Sequence, residues 1–147
     1  MTPHRQLIVH DPDAGAIGDC HRTCIASILD LHPSDVPHFT EGLWGEPHAL
    51  VVAETRAWLA GRGLGYAMFY YPDASLEQIL ETTGALSPGV PMILSGRSSL
   101  GSNHAVVILD GRIASDPSGN GIVGPCDDGR WWVELLTVGL APALMVA

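Results

Sequence analysis

Apolar residues recur at spacings of three and four through the first half of the chain and then crowd into short continuous runs. Cys24, Ile25, Ile28 and Leu29 share one helical face, which predicts a helix from Cys20 to Leu31. Asp19 stands where an N-cap belongs. His32-Pro33 closes the helix, because the residue before a proline avoids the α region. After a connector from Ser34 to Phe39, a second helix is predicted from Pro47 to Ala60, with Leu50, Val51, Glu54, Trp58 and Leu59 at helical spacing and Gly61 and Gly63 as its stop. Ser75-Leu76-Glu77-Gln78 reads as the capping-box start of a third helix ending at Gly84.

The remaining pattern is β. Leu64 to Tyr71 is rich in aromatics, and Val90 to Ser95, His104 to Leu109 and Arg112 to Ser115 are short apolar runs between turn residues. A final strand, Trp131 to Leu136, follows a Gly/Pro/Asp-rich loop over 117–130. The outline is α+β, N-terminal helices packed on a C-terminal antiparallel sheet. Trp131 and Trp132 fall on opposite faces of their strand, so one ring is expected in the core and the other over a cleft. No repeat or break in composition divides the chain, and 1–147 reads as a single domain.

Composition narrows the function. The 147 residues are 46% hydrophobic and 16% charged, far from a disordered profile. Seven basic residues, all arginine, stand against 16 acidic ones, for a net charge of −9. That balance argues against nucleic acid, whose phosphates are gripped by Lys and Arg, and against anionic membranes. A basic or neutral peptide fits better. The N-terminal residues hold no secretory apolar region, and the longest charge-free stretch, Leu135 to Ala147, is interrupted by Pro142 and too short to span a bilayer. A cytoplasmic location is the expectation, and there three cysteines point to buried, catalytic or metal-binding thiols rather than disulfides.

Cys20 falls in the first turn of the first predicted helix, where unpaired N–H groups and the helix dipole favour a thiolate. A nucleophilic thiol also needs an imidazole and a group that fixes the imidazole tautomer. His104 and Asp116 are placed to supply both if the intervening hairpin has a three-residue loop, Leu109-Asp110-Gly111. Ile108 then pairs with Arg112, and His104 lies opposite Asp116. A two-residue loop, Asp110-Gly111, would send Asp116 to the other face. Cys24 reads as core, and the carboxylates beside Cys126 make that thiol a poor nucleophile.

Gly18-Asp19-Cys20 opening a helix, Asn103-His104-Ala105-Val106-Val107 on a strand, and Asp116-Pro117 followed by glycines together resemble the papain-like cysteine peptidases. The closest group is the bacteriocin-leader peptidases that cleave after double glycine. The resemblance implies Cys20 as nucleophile, His104 as general base and Asp116 as the residue that orients it, with a peptide or protein substrate, basic or Gly-containing, and no cofactor. In that family a glutamine upstream of the cysteine helps hold the oxyanion. Here its position is Ala14, and Gln6 is the only upstream glutamine, too distant in sequence to carry over. The backbone N–H of Cys20 is one oxyanion donor, and Asp19, which donates only when protonated, is the second candidate. A noncatalytic peptide-binding module on the same scaffold is the alternative. A thiol-zinc domain built from Cys20, Cys24, Cys126 and nearby histidines lacks the usual paired ligand spacing. Nucleotide-binding loops, HExxH and GxSxG are absent from the sequence.

Overall fold

The computed structural model of the protein describes residues 1–138. Three helices, α1 (Cys20–Leu29), α2 (His48–Ala60) and α3 (Leu76–Leu86), accompany six strands: β1 (Leu64–Pro72), β2 (Met92–Ser98), β3 (Asn103–Leu109), β4 (Arg112–Ser115), β5 (Ile122–Gly124) and β6 (Arg130–Val138). The antiparallel sheet runs β1-β6-β2-β3-β4, with β5 paired to the end of β2. The fold is α+β.

Alternation along the strands sorts the core into two clusters. Tyr66, Ile93, Ala105 and Val107 meet Cys24 and Ile25 of α1 and Val51 and Leu59 of α2 on one face of the sheet. Leu94, Val106, Ile108, Trp131 and Val133 meet Ile79 of α3 on the other. The helices therefore cover both faces, whereas the sequence suggested a helical half laid on one. Among the described residues no helix is long and apolar enough to cross a membrane. The charge-free stretch from Leu135 continues past the described residues at 139.

Several boundaries differ from expectation for local reasons. Helix α1 ends at Leu29 because Asp30 turns left-handed (φ 56°) and returns its N–H to Ala26, its carboxylate held by the Thr2 hydroxyl at 2.7 Å. Pro33 instead opens a separate short 3-10 turn. The capping box of α3 forms as expected between Ser75 and Gln78, but the helix runs through Gly84 to Leu86. A Cβ on Gly84 would lie 2.7 Å from the Gly111 nitrogen, so this glycine lets the β3–β4 turn pack on the helix. Strand β5 lies inside the segment read as a continuous loop.

Candidate active site

The β3–β4 hairpin brings His104 to Asp116 by a different route from the expected one. Its loop is the two-residue Asp110-Gly111, both at positive φ (51° and 78°), so Leu109 pairs with Arg112 and Ile108 with Ile113. A register shift then makes Val107 pair with Ser115. Ala114 is the extra residue of a β-bulge, and the bulge returns Asp116 to the face of Val106 and His104. The expected three-residue loop was incorrect; the parity it was to provide is supplied one step further along.

His104 Nε2 lies 2.7 Å from Asp116 Oδ1, with the Ser118 hydroxyl 3.0 Å from the same nitrogen. The carboxylate is fixed by the loop that follows. Oδ1 accepts the N–H groups of Ser118 (3.2 Å) and Gly119 (3.1 Å), and Oδ2 accepts that of Gly121 (2.8 Å). Partial burial opposes ionisation of Asp116, but the His104 hydrogen bond and the loop N–H groups outweigh it and hold the carboxyl below its ordinary value. An ionised acceptor on Nε2 leaves Nδ1 as the basic nitrogen.

Cys20 is the first residue of α1 and lines a cleft of about 1150 Å³ together with His104. The backbone N–H of Ala105, the residue after His104, approaches its sulfur. The thiol is not acidified as its helix position suggests. Burial, with a contribution from the Asp19 charge, pushes it up to about 11 against the N–H groups of Ala105, His21 and Cys20. The resting sulfur is therefore a protonated thiol at neutral pH. Cys24 is fully buried in the core. Cys126 also reaches about 11, through burial and then Asp128 and Asp127.

Asp19 neither caps α1 nor offers a proton to an oxyanion. It is fully buried and makes no capping bond. Its Oδ1 accepts the Ile8 N–H at 2.8 Å, and its Oδ2 pairs with Arg22 Nε at 2.9 Å, so both oxygens serve as acceptors. Asp19 is a clamp between α1 and the N-terminal segment. That segment is also tied to the Asp116 loop, through the Gln6 N–H and the Pro117 carbonyl (3.0 Å). Its course brings Gln6 to the wall of the cleft that Cys20 also lines. Gln6 Nε2 donates to the Ile8 carbonyl at 2.8 Å, while its buried Oε1 has no partner. Gly18 is required nearby, since a Cβ there would stand 2.7 Å from the Cβ of His10, whose Nδ1 accepts the Gly18 N–H at 3.1 Å.

A second histidine–carboxylate pair, which sequence reading did not find, lies deeper. His21 Nε2 meets Glu134 Oε1 at 2.8 Å, joining α1 to β6 across 113 residues of sequence. Burial works to lower the His21 pKa, but the charge and hydrogen bond of Glu134 prevail and raise it. Trp131 is buried and Trp132 lines the cleft, the division expected for that pair. Among the described residues, no three His, Cys, Asp or Glu side chains converge to hold a metal ion. His10, His21, His32 and His38 each have a hydrogen-bonding partner elsewhere.

No family model, curated protein or solved structure matches this chain.

Proposed function

We propose that the chain is a thiol-dependent hydrolase or acyl transferase of papain-like type, acting on a peptide, isopeptide or related amide carbonyl. The observation that carries this reading is that His104, held by Asp116 at 2.7 Å, lines the same cleft as Cys20 at a helix N-terminus. Because the resting thiol is protonated, His104 acts as a general base at the moment of attack. The Cys20 sulfur bonds the carbonyl carbon while its proton passes to His104 Nδ1, and Asp116 stabilises the imidazolium through Nε2. The imidazolium then protonates the leaving amine, the C–N bond breaks, and an acyl-thioester remains. Water, or an acceptor amine, attacks it with His104 again as base and returns the free thiol.

The developing oxyanion has the Cys20 backbone N–H as one donor. Gln6 is the second donor in this reading, because its Nε2 bonds the Ile8 carbonyl through one proton and has another to give. A noncatalytic peptide-binding module is the second reading, favoured by the raised thiol pKa.

Acetylation by p-nitrophenyl acetate separates the two. The enzyme reading expects a burst of nitrophenol and one acetyl group on Cys20 by peptide mass spectrometry, both lost in Cys20→Ala. No acetyl group on Cys20 under conditions that acetylate a free peptide thiol would leave the binding module.

A further inference from the structure

The cleft contains a buried acid that the proposed chemistry does not use. Glu134 is only 4% exposed, yet it lines the cleft on the face of the sheet that carries Cys20's helix. Among the described residues only His21 bonds its carboxylate, through Oε1. Oε2 has no hydrogen-bond partner there and, unlike His21 Nδ1, is not sealed from solvent, so a largely buried carboxylate keeps one oxygen free to accept a donor. His21 answers the charge from one side only.

The surroundings of Glu134 are mainly apolar. Met68 is its cross-strand partner in β1, and Tyr66, Val52 and Trp132 line the same cleft. Trp132 is held in orientation by its Nε1 bond to Asp128 Oδ2 at 2.7 Å and is flanked by Tyr70 with ring centroids 5.2 Å apart. Asp127 and Asp128 add acidic charge to the cleft wall, where Arg5 is the only arginine among the described lining residues, and the guanidinium of Arg130 lies 6.0 Å from the Trp132 ring centroid. Apolar walls take a hydrocarbon stem, an indole face favours a cation, and the free oxygen of the carboxylate accepts its N–H groups.

We propose that Glu134 forms a specificity subsite for a lysine or arginine side chain of a peptide substrate, with Met68, Tyr66 and Trp132 enclosing the stem. Glu134 is a binding and positioning residue that takes no part in breaking the bond. The subsite deepens the thiol-hydrolase reading by naming its substrate class, since it opens into the cleft that holds Cys20. Its binding step does not depend on the nucleophile.

The test uses the Cys20→Ser chain, which binds without turning over, and acetylated glycine-flanked peptide amides differing at one position: lysine, arginine, norleucine or glutamate. Titration followed by saturation-transfer NMR gives their affinities. The lysine or arginine peptide is expected to bind about tenfold more tightly than the norleucine peptide, and the glutamate peptide most weakly. Glu134→Gln is expected to erase the preference, whereas His21→Gln retains it because the carboxylate remains. Met68→Arg, which sets an internal cation beside Glu134, is expected to abolish the preference without removing the acid, and it serves if Glu134→Gln fails to fold. Equal binding of the lysine, arginine and norleucine peptides, a preference that survives Glu134→Gln or Met68→Arg, or no binding by any peptide would overturn the subsite. Failure of Cys20 to take an acetyl group in the native chain would instead overturn the catalytic reading, and the peptide affinities would stand apart from it.

Discussion

Two histidine–carboxylate pairs of almost equal length have their imidazoles on the cleft that Cys20 lines, and their settings differ. His104–Asp116, at 2.7 Å, joins the beginning of β3 to the loop after β4, where backbone N–H groups already surround the carboxylate. His21–Glu134, at 2.8 Å, lies between α1 and β6, and Glu134 has no second partner among the described residues. The first imidazole has its Asp-bonded nitrogen fixed and the other available in the cleft. The second has its Nδ1 buried without a partner, which leaves it no route to accept a proton from Cys20 through that atom. A short His–carboxylate contact is thus not enough to identify a base; the state of the other ring nitrogen separates a group that can move a proton from one that holds a charge.

The largest effect that should separate the pairs is on acyl transfer. Replacing His104 with alanine is expected to slow acetylation of Cys20 by about 10²- to 10⁴-fold, the usual contribution of a general base. His21→Gln is expected to change it less than about tenfold. Burst kinetics with p-nitrophenyl acetate measure both, and equal losses would remove the distinction. Deleting Ala114 sharpens the comparison, because the ladder then runs without a bulge while Ser115 still pairs with Val107 and Asp116 keeps the face of His104. Acetylation should then stay within about tenfold of the native rate, well above that of Asp116→Ala, with the sheet retained by circular dichroism.

Stability should invert the ranking. Glu134→Ala leaves the buried His21 ring without its only hydrogen-bond partner among the described residues and opens a cavity beside it, and is expected to cost about 3 kcal/mol in urea denaturation. Asp116→Ala, in a partly exposed loop, should cost about 1 kcal/mol. A larger loss for Asp116→Ala would contradict the assignment of His21–Glu134 as the more deeply structural pair.

A smaller effect appears with pH. The raised pKa of folded His21 means that its contribution is fully present below the unfolded value of about 6.5 and is lost as pH rises through the folded value. In Glu134→Gln only burial should remain as a strong influence on His21, so its pKa falls and the slope reverses over that range. Above pH 9 the wild type should weaken again, as Cys20 and Cys126 ionise at the ordinary 9.0 when unfolded but at about 11 when folded. Asp116 acts at the acid end. Its depressed pKa gives stability that is present above the unfolded value of about 3.9 and is lost as pH falls through the folded one. Melting curves across pH for the wild type, Glu134→Gln and Asp116→Asn should show these slopes.

Much of this fold was legible because it rests on local rules. The α1 start at Cys20, the α3 capping box and the division between Trp131 and Trp132 follow from side-chain chemistry and strand alternation. What escaped depended on distant contacts. Gly84 resembles a helix stop until the hairpin is packed on it, and Asp30 ends α1 with the help of Thr2. Cys20, His104 and Asp116 were individually visible, but their register was missed because no residue type marks the bulge at Ala114. Gln6 reaches the cleft only because its backbone is tied to Pro117 and its neighbour Ile8 to Asp19. Glu134 had no sequence signal beyond a carboxylate in an apolar strand, which was the clue available.

The most direct measurement is the iodoacetamide labelling rate of each cysteine across pH, by peptide mass spectrometry, in the native chain and in His104→Ala. The account expects Cys20 to label faster than Cys24 and Cys126 near neutral pH, and to lose at least about tenfold of that rate without His104. Labelling of Cys20 no faster than Cys126, or unchanged by His104→Ala, would contradict its role as a nucleophile served by that imidazole.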